Sequence, residues 1–243
     1  MIEDIVRTRN PGPDVAGGDS MIPIRDNIRS RSVPIIGYIL IIGTAIVFIK
    51  ELMLEDRLLN QAVAAYGLVP AAFLAGLERN AADIAVYLPL ITNLFLHGGW
   101  LHIIGNLWYL KIFGDNVEDY LGHGSFLLFY LLCGIVANLV QVFVDPASNV
   151  PTIGASGAIS GVLGAYFISF PLAKVSTLIP IFFFVTVIEI PAMLFLGLWF
   201  FLQLQSGTAS LYMTGTNVAW WAHVGGFAAG VILIKLFPRR NSY

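Results

Sequence analysis

The chain has 243 residues, 57% of them hydrophobic and only 12% charged, with mean hydropathy +0.80 and a net charge of −2. So little charge cannot cover a soluble domain of this size, and without a basic patch nothing in the chain addresses nucleic acid. The single cysteine, Cys133, lies in an apolar run and excludes an intrachain disulfide.

What remains is an all-α polytopic membrane protein, one domain with room for about six spans of ~20 residues. Residues 1–32 are polar and turn-rich (Asn10-Pro11-Gly12-Pro13, Gly17-Gly18) and read as a disordered cytoplasmic tail rather than a signal peptide. Arg25, Arg29 and Arg31 stand before the first apolar run, 33–49, and hold the N-terminus inside. Residues 50–90 mix charges with apolar patches, which predicts a first loop folded onto the membrane surface. Span two, 99–113, carries His102, Asn106 and Lys111; span three is 126–144, where Asn138 is expected to make an interhelical bond. A short loop, 145–149, leads to span four, 154–170.

The apolar stretch 178–204 would be about 40 Å long as one helix, too long for an upright span. Pro191 is the natural break. Span five is therefore placed at 191–205, and the β-branched and aromatic run 178–190 becomes an interfacial hairpin on the cytoplasmic side, sparing Glu189 from hydrocarbon. Span six is 218–237, the membrane domain covers 33–238, and 239–243 form a cytoplasmic C-terminal tail. Of the 13 basic residues, this arrangement leaves only Lys50, Arg57 and Arg79 outside, as the positive-inside rule requires.

Four polar groups lie in the outer halves of their spans: His102 and Asn106 in span two, Ser156 in span four, His223 in span six. Intramembrane polar residues mark functional sites or interhelical bonds. Ser156 sits in Gly154-Ala155-Ser156-Gly157-Ala158-Ile159-Ser160-Gly161, which reads either as a small-residue packing face or as a nucleophile left uncrowded for substrate. Gly226 and Gly230 bare one face of the His223 helix, and that face complements Gly157, Gly161 and Gly164. If the two helices meet, His223 can act on Ser156 as general base and then acid. His102 and Asn106, four apart, share a face and can join the Ser156 N–H in holding an oxyanion. No Asp or Glu lies at this depth, so the chemistry is that of a Ser–His dyad whose imidazole is oriented by helix packing. No metal site is expected, because His97 and His102 have no carboxylate or cysteine beside them.

These residues resemble the rhomboid family of intramembrane serine proteases. Gly154-Ala155-Ser156-Gly157 is similar to its GxSG nucleophile motif, and Ala222-His223 with Gly226 and Gly230 resembles its catalytic-histidine helix. His97-Gly98-Gly99-Trp100-Leu101-His102-Ile103-Ile104-Gly105-Asn106 resembles its span-two pattern, and Gly114, Glu118 and Gly122 its structural motif after that span. The resemblance runs over about 88–237. It implies a six-transmembrane-helix rhomboid-like bundle in which Ser156 and His223 are catalytic and His102, Asn106 and Ser156 stabilise the oxyanion. Ser160 stands where well-known members carry a tyrosine that stacks on the histidine, so another group must hold the ring.

The expected activity is intramembrane serine endopeptidase, cutting single-span membrane proteins near the outer leaflet, with no cofactor. The alternatives are a non-catalytic rhomboid-like binder of membrane clients, or a proton-relaying channel or transporter. The partners are substrate segments and the lipid bilayer, and no residue pattern points to an oligomeric state. The expected location is a prokaryotic plasma (inner) membrane with both termini cytoplasmic. His97 is expected to be structural, His123 a turn residue, and Trp100, Trp108, Trp199, Trp220 and Trp221 interface anchors or core filling.

Overall fold

Eight helices of 11 residues or more, short helical turns over Ile84–Phe95 and a small sheet make up the computed structural model, which describes residues 21–181, 184–212 and 218–240. The helices are α1 (Ile35–Met53), α2 (Asp56–Tyr66), α3 (Pro70–Asn80), α4 (Trp100–Leu121), α5 (His123–Val144), α6 (Ser156–Ser169), α7 (Ala192–Ser210) and α8 (Trp220–Leu233). Helices α1, α5 and α7 are long and apolar enough to cross a bilayer. Short helical turns over Ile84–Phe95 meet α4 at 86°, and count as a fourth span if the bent pair is one crossing. Length and composition thus support three or four of the six expected spans. Helices α6 and α8 are apolar but have only 14 residues each, ~21 Å against the ~30 Å of hydrocarbon.

The two short helices form the centre. Small residues bring them almost backbone to backbone: a Cβ at Gly226 would fall on the carbonyl oxygen of Gly157, and one at Gly230 on that of Gly161. Helix α5 closes the third side, with the fully buried Cys133 packed against Gly161. Around this seam lies one apolar core that includes Phe113, Phe126, Phe129, Leu163, Tyr166 and Leu196.

Helix α4 runs past the expected end at 113 to Leu121, because its last two turns are tied into the fold. Glu118 is wholly buried, and its two carboxylate oxygens accept from the N–H groups of Ile36 (2.9 Å) and Gly37 (2.7 Å). It thereby caps the first turn of α1, whose own N-cap, Pro34, makes no side-chain bond. His123 opens α5 rather than forming a turn, and its Nδ1 bonds the same carboxylate. Asp119 accepts from Arg31 N, Ser32 N and Ser32 Oγ, while Arg240 reaches Ser32 Oγ and Tyr120 O. Both ends of the described chain therefore sit at the same end of the bundle.

The fold is not all-α. The apolar run before Pro191 forms an antiparallel hairpin, β2 (Lys174–Ile181) and β3 (Phe184–Pro191), in the register Lys174↔Pro191 to Ile181↔Phe184. This is the hairpin expected there, and Pro191 ends it as the N-cap of α7. The third strand comes from the expected tail. Residues Ile22–Asp26 form β1, which adds to the other edge of β2 with Ile22 opposite Leu178 and Asp26 opposite Val175. Disorder through residue 32 is therefore wrong over 21–32; residues 1–20 and 241–243 of the two expected tails lie outside the described residues. An open strand edge offers unpaired N–H and C=O groups to a β-branched segment. Side chains of the bundle then fix the segment: Trp108 Nε1 donates to Pro23 O (2.6 Å), and Asn116 Nδ2 and Tyr166 Oη both donate to Asp26 Oδ2.

The first loop is helical in α2 and α3. Leu68 and Thr152 bridge it to the entry of α6, and Leu68, Phe73, Leu90 and Val142 form a second apolar cluster beneath it.

Candidate active site

The N-terminal ends of α4, α6 and α8 converge. Ser156 is the first residue of α6, and His102 and His223 stand in the first turns of α4 and α8. At such ends the first N–H groups lack helical acceptors and the helix dipole is positive, which favours a developing anion.

Ser156 and His223 are in contact. His223 Nε2 lies 2.8 Å from Ser156 Oγ, a distance set by the glycine seam beneath it. Ser156 and the side chains of His102, Asn106, Ser160 and Trp199 line a cavity of about 250 Å³. His102 and Asn106 do share one face of α4, turned toward this cavity.

Gly154 explains why the serine is preceded by a glycine two residues back. Its φ is +116°, a backbone conformation that L side chains rarely adopt. A Cβ there would also lie 2.5 Å from His102 Nε2 and 2.7 Å from its Cε1. The glycine therefore lets the backbone turn into α6 while leaving room for the His102 ring. The turn is pinned from below: Gly154 N donates to Asn93 O (2.9 Å), and the Asn93 and Asn138 side chains exchange two 2.9 Å bonds. Asn138 thus makes the interhelical bond expected of it.

His97 sits behind the site. Its backbone N–H donates to the buried Glu51 carboxylate, its Nδ1 meets Phe95 O, its ring lies 4.9 Å from that of His102, and Ala155 N–H points at its Nε2 from 3.5 Å. It braces the loop rather than lining the cavity. Among the described residues, no three His, Cys, Asp or Glu side chains gather as they would around a metal ion.

Three contacts of His223 are not among the expectations drawn from the sequence. Its Nδ1 lies 2.7 Å from Oε1 of Gln203, a buried residue of α7. The ring of Trp199, one turn earlier on α7, is 6.2 Å from the imidazole, and Trp220 meets it edge-on at 6.0 Å. Trp199 and Trp220 are therefore more than anchors or filling. The Ser160 hydroxyl is committed elsewhere, donating to Ser156 O (2.6 Å). A signal for Gln203 existed: it is an uncharged polar residue within an expected span, the same criterion that singles out Asn106.

Residues 85–240 match the family model of the Rhomboid domain. Over 159 residues the chain is 31% identical to "Rhomboid-like protein 11, chloroplastic" of Arabidopsis thaliana, covering 61% of this chain and 52% of that protein. It is 39% identical over 77 residues to "Putative rhomboid protease YdcA" of Bacillus subtilis, 32% of this chain and 38% of that one. To the mouse "Presenilin-associated rhomboid-like protein, mitochondrial" it is 30% identical over 108 residues, 43% and 29% of the two chains. The chain spans about half the length of these curated relatives or less.

Proposed function

The chain belongs to the rhomboid family, and from that premise we propose that it is an intramembrane serine endopeptidase acting on the transmembrane segments of single-span proteins. The observation that carries the proposal is the 2.8 Å contact between Ser156 Oγ and His223 Nε2, in the wall of a cavity that His102 and Asn106 share.

Ser156 Oγ attacks the scissile carbonyl carbon as His223 Nε2 takes its proton. The new Oγ–C bond leaves a negative charge on the former carbonyl oxygen. His102, Asn106 and the Ser156 N–H hold that charge, with the converging helix ends behind them. One such donor is typically worth ~2.7–4 kcal/mol of the barrier. Collapse breaks the C–N bond, and the imidazolium gives its proton to the leaving amine. Water, deprotonated by His223, then hydrolyses the acyl-serine.

The six-span arrangement follows if α1, the bent segment with α4, α5, α6, α7 and α8 each cross. Helices α6 and α8 are too short to reach both surfaces, so their N-terminal ends lie sunk below the outer one and the cavity opens there to water. The end carrying both ends of the described chain, the sheet and Glu118 then faces the cytoplasm, in a prokaryotic plasma membrane. Substrate segments must unwind to present a carbonyl, since helical carbonyls are occupied by their own hydrogen bonds. Small or helix-weakening residues near the outer end of the segment are therefore expected.

The test pairs a serine-directed fluorophosphonate probe with co-expression of a panel of single-span membrane proteins. Labelling and cleavage that vanish together in Ser156→Ala and in His223→Ala, with the double variant no worse than either, support the dyad. Cleavage that survives Ser156→Ala sinks it, and a labelling-free protein that binds the same segments is the non-catalytic binder.

A further inference from the structure

We infer that Gln203 is a positioning residue that fixes the tautomer of His223, so that α7, which carries neither member of the dyad, holds the imidazole ready to accept the serine proton. What the tautomer is used for rests on the protease reading above; the tautomer itself does not.

A neutral imidazole has one N–H, and which nitrogen carries it is decided by the partners at its two edges. On one edge is the Ser156 hydroxyl, which can donate or accept and so imposes nothing. On the other is Gln203 Oε1, at 2.7 Å from Nδ1. An amide oxygen only accepts, so Nδ1 must carry the hydrogen. Nε2 is then a bare lone pair, and at 2.8 Å the serine O–H must point at it. The opposite arrangement, with the Gln203 NH₂ toward Nδ1, would put the hydrogen on Nε2, make the serine the acceptor and leave no base.

Three features hold the amide and the imidazole against each other. Gln203 is only 4% exposed, so water does not compete for its oxygen, and a buried amide without a partner is costly. Trp199 lies one turn away on the same face of α7, its ring inclined 33° to that of His223. It limits rotation of the imidazole where Ser160 is too small and has its hydroxyl bonded to Ser156 O. The third feature is the neutrality of the amide. A carboxylate would orient the ring as well, but it would place a charge among apolar helices, where charge is expensive. The amide keeps the orienting function of a triad acid and gives up part of its stabilisation of the imidazolium.

The test reads the proton directly. The full chain, with ¹⁵N-labelled histidine in detergent, contains four imidazoles; the His223→Ala spectrum identifies the signals of His223. At a pH where the ring is neutral, the wild type should show a protonated Nδ1 and a bare Nε2. Gln203→Met, similar in length but without the amide acceptor, should give a mixture of tautomers, while Gln203→Glu should keep the Nδ1 proton. Where cleavage is measured, Gln203→Met should lower kcat on the order of tenfold or more with KM unchanged, and Gln203→Glu should recover most of it. A wild-type His223 protonated at Nε2 overturns the inference, and needs no variant that folds. So does a Gln203→Met protein with wild-type tautomer and kcat. Loss of the protease reading would appear elsewhere, as cleavage that persists in Ser156→Ala.

Discussion

Replacing Gly154 by alanine should strike the proposed oxyanion pocket while sparing the proposed dyad. The added Cβ would stand 2.5 Å from His102 Nε2 and 2.7 Å from Cε1, whereas such atoms rest at about 3.5 Å. The His102 ring must therefore retreat by roughly 1 Å, which takes a hydrogen bond of ~2.9 Å to nearly 4 Å, beyond any useful geometry. Loss of one such donor costs ~2.7–4 kcal/mol of transition-state stabilisation, or 10²–10³ in kcat. The φ of +116° adds strain of about 1–2 kcal/mol to the folded state, a modest fall in unfolding temperature. The assay is cleavage of a single-span substrate in detergent, with kcat and KM separated, beside thermal unfolding of the same preparations. A Gly154→Ala protein with kcat within threefold of wild type would refute both the role proposed for His102 and the reason given for the glycine.

The glycine seam and the added strand give two further predictions. In Gly226→Ala the new Cβ meets the Gly157 carbonyl oxygen, so α8 must shift, at an overpacking cost of about 1–3 kcal/mol. Unfolding temperature and fluorophosphonate labelling of Ser156 should fall together, and wild-type values for both would show that the helices do not meet as described. Asp26 concerns the far end. Burial, opposed by its hydrogen bond from Tyr166, raises its pKa above the usual 3.8. A carboxyl whose folded-state pKa exceeds its unfolded value contributes stability that is fully present below the unfolded pKa and is lost as pH rises through the folded pKa. Asp26→Asn, which keeps an acceptor for Tyr166 and Asn116 without a charge, should match wild type in acid and exceed it at neutral pH. Asp26→Ala removes both bonds and should lose about 1–3 kcal/mol. Unfolding of the three proteins across pH checks the sign, and an Asn variant less stable than wild type at neutral pH would reverse it.

What can be read along the chain here is what repeats at helical spacing or breaks a helix. Gly226 and Gly230 lie one turn apart, as do Gly157 and Gly161, so each pair bares one face, and two bare faces among bulky lipid-facing helices have few partners but each other. His102 and Asn106 share a face for the same reason, and Pro191 ends a hairpin because it has no N–H for the ladder while its fixed φ suits the entry to a helix. These properties depend on residues within a turn or two, and composition alone supplies the bilayer as solvent.

The rest was decided by contacts between segments far apart in the chain. Residues Ile22–Asp26 are a strand because β2 offers an open edge and because Trp108, Asn116 and Tyr166 hold the segment against it, up to 140 positions away. The end of α4 is set by Glu118 capping another helix, and the loop helices by the second apolar cluster. At the site, local pattern selected Ser156 and His223. Only packing put Gln203 and Trp199 against the imidazole, because which side of α7 faces α8 is settled by the volumes that must fit between them.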